Sequence, residues 1–189
     1  MQARSAALVD TILQAAAQVI ETEGAAAFTT NRVAERAGVS IGSLYQYFPN
    51  RDVILTKLAI RAEAQLRGQV ETILTQAEDI CEGLAGMAGA AFEHYLAAPR
   101  LHEALAQAEA RLGPLVKEEL AGAEQRMSDL IAAFVARLAP ERLAANPALP
   151  GELEAVGHHL VAQALRDRRT GREAQSRIAA ILMACVENG

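Results

Sequence analysis

The chain has 189 residues, of which 51% are hydrophobic, 22% charged and only 4% aromatic. This length and apolar content allow a sizeable core of one or two domains, which excludes general disorder. No apolar run approaches the ~20 residues of a membrane span, and the first ten residues lack the basic and apolar regions of a secretion signal. We therefore expect a cytoplasmic protein with no membrane partner, whose cysteines, Cys81 and Cys185, are reduced and buried.

The negative charge is confined to the C-terminal part of the chain. The formal net charge is −5, but residues 1–60 carry five basic and five acidic groups, so the remaining 13 basic and 18 acidic groups account for it. Between Thr29 and Lys57, four basic groups outnumber two acidic ones. A local positive patch of this kind can hold phosphates although the rest of the protein is acidic.

An all-α fold is predicted, because Ala, Leu and Glu dominate and strand-like alternation never persists for more than a few residues. The segment 139–151 contains Pro140, Pro147 and Pro150 and is predicted to be a long loop. The predicted helices cover residues 5–23, 30–37, 40–47, 52 into the seventies, 79–97, 99–111, 114–138, 152–169 and 172–187.

Capping residues mark the first three helices. Ser5 is the predicted N-cap of the first helix, and Gly24 ends it. Thr30 would cap the second helix, with Gly38 just past its end, and Ser40 would cap the third.

Residues 29–51, TTNRVAERAGVSIGSLYQYFPNR, have the spacing of a helix-turn-helix. Such a unit needs a small residue where its helices cross, here Ala34, and a residue that tolerates positive φ at the turn, here Gly38. The apolar residues that would lock the two helices together are Val33, Ala37, Val39, Leu44 and Phe48.

Polar residues lie on the second helix of this unit and just beyond it. A helical hairpin buried in a core is the alternative interpretation, but a core would not need this whole set of residues. Ser40, Ser43 and Gln46 are predicted to reach into a DNA groove. Tyr45 and Tyr47 are predicted to donate hydrogen bonds to phosphates, and Arg51 and Lys57 to neutralise the charge of the DNA backbone.

This segment resembles the DNA-binding domain of TetR-type regulators. The resemblance rests on residues 28–30 (FTT), 33–40 (VAERAGVS) and 42–51 (GSLYQYFPNR). It implies a three-helix DNA-binding domain, residues 1–50, followed by a helical domain, residues 51–189, that binds a small effector and dimerises. Arg51 stands where the family usually has Lys, and it keeps the charge.

The resemblance also implies roles for individual residues. Gln46 could read adenine, Ile41 could touch a thymine methyl, and the missing side chain of Gly42 would let the helix approach DNA closely. The residues implied to hold phosphates are Thr30, Tyr47 and Arg51. The residues implied at or near base edges are Asn31, Ile41, Gly42, Ser43, Tyr45 and Gln46.

Three glycines, Gly83, Gly86 and Gly89, are spaced three apart on the fifth predicted helix. They do not form a phosphate loop, since no strand precedes them and no Gly-Lys-Ser/Thr follows. Each costs up to ~1 kcal/mol relative to Ala inside a helix. The cost indicates either close helix packing, which is the more common outcome, or room for a ligand.

Metal binding and enzymatic chemistry have no positive support in the sequence. Glu154, His158 and His159 lie close together, but a ferritin-like di-iron site needs Glu-x-x-His motifs, which the chain lacks. Cys81 lies among apolar and acidic residues, which do not activate a thiol. We expect no metal, no cofactor and no enzymatic activity.

The bulky residues of the middle helices either form an ordinary core or line the apolar effector pocket that the resemblance implies. They are Met87, Phe92, Tyr95, Leu101, Leu105, Met127, Ile131 and Phe134. Apolar stripes on the last two helices must be buried somewhere, and the resemblance implies a two-fold interface of four helices. The stripes are Leu153, Val156, Leu160, Val161 and Ala164, and then Ala174, Ile178, Ile181, Leu182 and Cys185.

Two functions remain open at this point. The first is a homodimeric repressor that binds palindromic operator DNA and is released by a small, mostly apolar effector, with the long helix from Asp52 transmitting the change. The alternative is a helical protein-interaction module that keeps the fold without DNA binding or effector response. Operator binding that weakens with salt separates the two.

Overall fold

The computed structural model describes residues 2–109, 114–167, 169 and 171–188, which form helices joined by turns without any strand. The predicted all-α class is confirmed. In chain order the helices are α1 (Gln2–Glu23), α2 (Thr30–Ala37), α3 (Ile41–Tyr47), α4 (Arg51–Gln76), α5 (Ile80–Ala97), α6 (Pro99–Glu109), α7 (Pro114–Leu138), α8 (Pro140–Ala145), α9 (Leu149–Arg166) and α10 (Arg172–Asn188).

Several helix ends differ from the prediction. Because α1 begins at Gln2, Ser5 lies inside the helix and is not its N-cap. The N-cap of α2 is Thr29, one residue before the predicted Thr30. α9 ends at Arg166 and not at residue 169. The predicted helix end at residues 110–111 lies outside the described residues.

The predicted loop over residues 139–151 is wrong, because two of its prolines begin helices. Pro140 is the first residue of α8, and Pro150 is the second residue of α9. A helix does not need the backbone N–H of its first-turn residues, so proline is tolerated there. Of the three prolines only Pro147 lies between helices.

The chain forms two compact units. The first contains the described residues within 1–62 and 97–120, and the second those within 63–96 and 121–189. The first unit therefore includes the beginning of α4 and all of α6, which the predicted 1–50 domain omits. The functional domains 1–50 and 51–189 stay predictions.

The core of the first unit is built from one face of each of its helices. α1 contributes a stripe at helical spacing, including Ile12, Ala16 and Ile20, all fully buried. α6 packs on α1 and buries Leu105 in the same cluster. The Glu21 carboxylate accepts the backbone N–H of Leu101 at 3.0 Å, which satisfies a donor in the first turn of α6.

The second unit has its own core, formed by α5, α7, α9, α10 and the later part of α4. Phe92 and Phe134 are its largest members, at 0% and 3% exposure. Arg137 donates from Nη2 to the carbonyl oxygens of Leu74 at 2.6 Å and Ala77 at 3.0 Å. These bonds satisfy carbonyls at the end of α4 that have no partner within the helix.

The two cysteines carry free thiols, as predicted. The prediction that both are buried is wrong for Cys81, which is exposed, while Cys185 is half-buried. Among the described helices, none is long and apolar enough to cross a membrane. The described residues also contain no group of three or more His, Cys, Asp or Glu side chains that could hold a metal ion.

Two of the three glycines of α5 lie where another helix leaves no space for a side chain. A Cβ at Gly83 would overlap the ring of Phe134, and a Cβ at Gly86 would lie 2.5 Å from Cγ2 of Ile73. A Cβ at Gly89 would meet no atom within 4 Å. The interpretation of close packing is therefore confirmed at Gly83 and Gly86.

We expect alanine to have opposite effects along this glycine series. Gly83→Ala forces Phe134 to move and lowers the free energy of unfolding by about 1–3 kcal/mol. Gly89→Ala, the matched control on the same helix, raises it by about 0.5–1 kcal/mol because the unfolded chain loses freedom. Urea denaturation of both variants checks this, and equal stability of the two would contradict the packing at Gly83.

Candidate DNA-binding surface

A glycine with left-handed backbone angles forms the turn between α2 and α3. Gly38 has φ +67°, and its N–H donates to the carbonyl of Glu35 at 3.1 Å. The N–H of Val39 then donates to the carbonyl of Ala34 at 3.0 Å, which closes the end of α2. Ser40 begins the next helix, because its Oγ accepts the N–H of Ser43 at 3.0 Å. The predicted positive φ at Gly38 and the predicted N-cap at Ser40 are confirmed.

Buried side chains fix α3 against its neighbours. Leu44 is 0% exposed and Phe48 2%, and both belong to the core cluster that also contains Val33 and Ala34 of α2. A seven-residue helix is not stable by itself in water, so this packing holds α3 in place.

The predicted DNA-contacting residues lie on the outer side of this unit. Two hydrogen bonds order them: the hydroxyls of Thr30 and Tyr45 lie 3.1 Å apart, and those of Ser40 and Ser43 lie 2.8 Å apart. The exposed members are Asn31, Ser40, Ile41, Gly42, Tyr45, Gln46 and Arg51. The half-buried members are Thr30, Ser43 and Tyr47.

The start of α4 shows supporting residues that the sequence reasoning missed. Asn50 accepts the N–H of Val53 on its Oδ1 at 3.0 Å, which is an N-cap contact. The guanidinium of Arg51 lies 5.4 Å from the ring centre of the buried Phe28. Asn directly before a helix could have revealed the cap, whereas the contact with Phe28 joins residues 23 positions apart and depends on the fold.

Two of the four basic groups between Thr29 and Lys57 are engaged with neighbouring side chains. Arg32 donates to both carboxylate oxygens of Glu23, at 2.8 and 2.9 Å, and to Glu35 at 2.7 Å. This arginine holds the pKa of Glu23 below its usual value and has its own pKa raised. Arg36 donates to Gln18 at 3.2 Å. The patch that could meet phosphates is therefore smaller than the residue count indicates.

The predicted effector residues do not form one group. Leu101 and Leu105 belong to the core of the first unit. The other six belong to the core of the second unit, where only Tyr95 is half-buried: Met87, Phe92, Tyr95, Met127, Ile131 and Phe134. The Tyr95 ring lies 6.0 Å from that of His158. The adjacent His94 ring lies 6.1 Å from Tyr95, and burial lowers the pKa of His94.

The predicted dimerisation residues fall into two groups, because α9 and α10 pack against each other within the chain. Four are buried in the chain's own core and expose little surface to a second subunit: Leu153, Val161, Ile178 and Leu182. Six remain half-buried: Val156, Leu160, Ala164, Ala174, Ile181 and Cys185. Ile181 alone among these six is not packed against the core cluster of the second unit.

Similar proteins point to one family. Residues 12–58 match the family described as bacterial regulatory proteins, tetR family. The nucleoid occlusion factor SlmA of Vibrio atlanticus (strain LGP32) is 39% identical over 72 residues, which are 38% of this chain and 37% of that protein. This chain thus spans little more than a third of the length of that relative.

Solved structures share the whole fold. A TetR family transcription regulator from Marinobacter aquaeolei VT8 is 19% identical over 98% of both chains, with a TM-score of 0.69. The multidrug binding protein EbrR, complexed with imidazole, is 17% identical over 94% of this chain and 93% of that one, with a TM-score of 0.70. The capped α2–turn–α3 unit with its matching family model defines a helix-turn-helix transcriptional regulator. More narrowly, residues 12–58 match the DNA-binding part of the tetR family of bacterial regulatory proteins.

We expect the turn to depend on glycine at position 38 and not at position 42. Gly38→Ala lowers the free energy of unfolding by about 1–2 kcal/mol, because a Cβ is disfavoured at positive φ. A Cβ at Gly42, on α3, would meet only Ser40 Oγ, at an ordinary contact distance of 3.8 Å, so Gly42→Ala does not lower stability. Thermal and urea denaturation measure the stability of both variants. A Gly38→Ala variant as stable as the wild type would contradict the requirement for glycine in this turn.

Proposed function

We propose that this protein is a homodimeric transcriptional repressor that binds palindromic operator DNA and is released by a small, mostly apolar effector. The observation that carries the DNA-binding part is the exposed outer face of α3, where Ile41, Gly42, Tyr45 and Gln46 point away from a helix held by the buried Leu44. A short helix presented in this way fits the major groove. The cytoplasm, where such DNA lies, is the expected location.

Phosphate contacts would flank the recognition helix on both sides. Thr30 begins α2 and Tyr47 ends α3, so both can donate hydroxyls to the backbone of the same groove. Arg51 follows, and its stacking on Phe28 restricts the guanidinium before DNA arrives. An arginine held in this way loses less side-chain freedom on binding than a free one.

We expect Arg51→Ala to weaken binding to all duplex sequences and to reduce the slope of log affinity against log salt by about one, as for the loss of one phosphate contact. Arg36→Ala is the matched control, since Arg36 is bonded to Gln18 within the protein. Fluorescence anisotropy at several salt concentrations gives both slopes. An unchanged slope for Arg51→Ala would remove its proposed role.

The dimer would form through the outer faces of α9 and α10. Ile181 is the best candidate for a contact across the two-fold axis, since it is apolar, half-buried and not packed against the chain's own core cluster. A symmetric dimer places two recognition helices so that a palindromic operator mirrors the protein.

We expect Ile181→Glu to dissociate the dimer, because a charge would be buried at the interface without a partner. Gln76→Glu adds the same charge at an exposed position of α4 and should leave the dimer intact. Light scattering at micromolar concentration measures the mass of each variant. A dimeric Ile181→Glu protein, or a monomeric wild type, would contradict this interface.

The effector would bind among the six apolar residues of the second unit, beside Tyr95. The Tyr95 ring is half-buried and has His94 and His158 as ring neighbours. Burial lowers the pKa of His94, so its imidazole is neutral at pH 7 and favours an uncharged ligand. The structural likeness to EbrR, whose structure holds imidazole, supports a small-molecule site in this fold.

We expect the effector and the operator to weaken each other's binding by the same factor, in the range of about 5–150-fold that couplings of 1–3 kcal/mol produce. A compound that raises the melting temperature in a thermal-shift screen is titrated by calorimetry with and without operator. Equal affinities in the two titrations would exclude release by that compound while leaving DNA binding intact.

The alternative is a protein-interaction module that retained the fold. It predicts the same dimer and the same stability effects but no salt-dependent binding to any duplex. The anisotropy experiment on the wild type therefore separates the two functions before any variant is made.

A further inference from the structure

The connection between α9 and α10 is a strongly basic segment of the second unit. Residues 166–172 contain four arginines and one aspartate, which gives a net charge of +3. The remaining residues of that unit carry five basic and thirteen acidic groups, a net charge of −8. A compact positive segment therefore belongs to a unit that is otherwise acidic.

The fold places three of these arginines together at one end of a helix pair. α9 ends at Arg166, α10 begins at Arg172, and the two helices pack against each other. The connection folds back onto the end of α9, since the N–H of Arg169 donates to the carbonyl oxygen of Ala164 at 2.8 Å. Arg166, Arg169 and Arg172 are exposed, and we call these three residues the α9–α10 basic end. The fourth arginine, Arg168, lies outside the described residues.

The stability of the unit does not account for this cluster. The helix dipole favours positive charge in the last turn of a helix, which explains Arg166 at the end of α9. At the first residue of α10 the dipole has the opposite sign, so it disfavours the charge of Arg172. Like charges so close along the chain also repel one another.

The guanidinium groups of the α9–α10 basic end are not engaged within the chain. No hydrogen bond or ion pair joins these three side chains to any residue that the structure describes. By contrast, Arg137 and Arg142 of the same unit donate to backbone carbonyl oxygens. The basic end thus presents hydrogen-bond donors and positive charge to the solvent.

We propose that the α9–α10 basic end binds a short acidic segment of a partner protein. A guanidinium group donates two parallel hydrogen bonds to a carboxylate, so a group of three suits successive Asp or Glu side chains. A short segment can contact the basic end alone, whereas a DNA duplex is a long polyanion that the acidic remainder of the unit repels.

A second copy of the chain is a poorer occupant. A two-fold contact through this end would bring like charges together, so the proposed dimer leaves the basic end uncovered. The inference is also independent of operator binding, because it uses no residue of α2 or α3.

The test measures binding of a fluorescein-labelled peptide of about eight glutamates, which in extended form is long enough to span the connection. We expect the wild type to bind it and to lose affinity as salt is raised. Arg166→Gln/Arg172→Gln should bind about fivefold to tenfold more weakly, as for the loss of two exposed ion pairs.

Arg126→Glu is the matched control. It lies at an exposed position of α7 in the same unit and changes the net charge by the same amount as the double variant. It should bind the peptide as the wild type does. All substitutions are at exposed positions, and a melting temperature no lower than that of the wild type verifies folding.

Four results would overturn the proposal. A wild type that does not bind the peptide, or a double variant that binds it equally well, would exclude the basic end as its site. An Arg126→Glu protein weakened as much as the double variant would show that only net charge matters. A double variant that also loses affinity for duplex DNA without an operator would assign the basic end to phosphates. A double variant of lower mass in light scattering would assign it to contacts between copies.

Discussion

The left-handed backbone at Gly38 is the constraint on which the candidate DNA-binding surface depends. It lets α2 end and α3 begin within three residues, with the carbonyls of Ala34 and Glu35 satisfied by the turn itself. A longer connection would leave the direction of α3 to be set by packing alone. Because the turn is so short, burial of Leu44 on one face determines which side chains are presented on the other.

α3 shows how a short helix can serve a surface function. Its seven residues contribute little stability of their own, and its stability comes from neighbours in the first unit. The side chains on its outer face therefore do not contribute to the core. Exposure of the apolar surface of Ile41 and Tyr45 to water is unfavourable, and any partner that covered it would remove that cost.

Some arginines of this unit stabilise the fold, whereas another lies where it can contact a partner. Arg32 and Arg36 are bonded to side chains of α1, so they hold α2 against α1 across a connection without regular structure. Arg51 instead lies at the surface over Phe28. In the second unit, Arg137 likewise serves structure, by bonding carbonyls at the end of α4. The charge of a segment therefore overstates the charge available to DNA.

The sequence by itself determined the helical class, the turn at Gly38, the cap at Ser40 and the set of residues around α3, because these depend on local backbone preferences and spacing. Local preference also misled at residues 139–151, where proline starts helices as readily as it ends them. Only the tertiary structure decided which arginines are bonded to other side chains of the protein. It also decided which residues of the α9 and α10 stripes are buried within the chain, and that Leu101 and Leu105 belong to the core of the first unit. An apolar stripe predicts that one face of a helix is buried, but it does not predict which element covers that face. Ion pairs can join residues that lie far apart in the sequence, so the sequence does not reveal which residues pair.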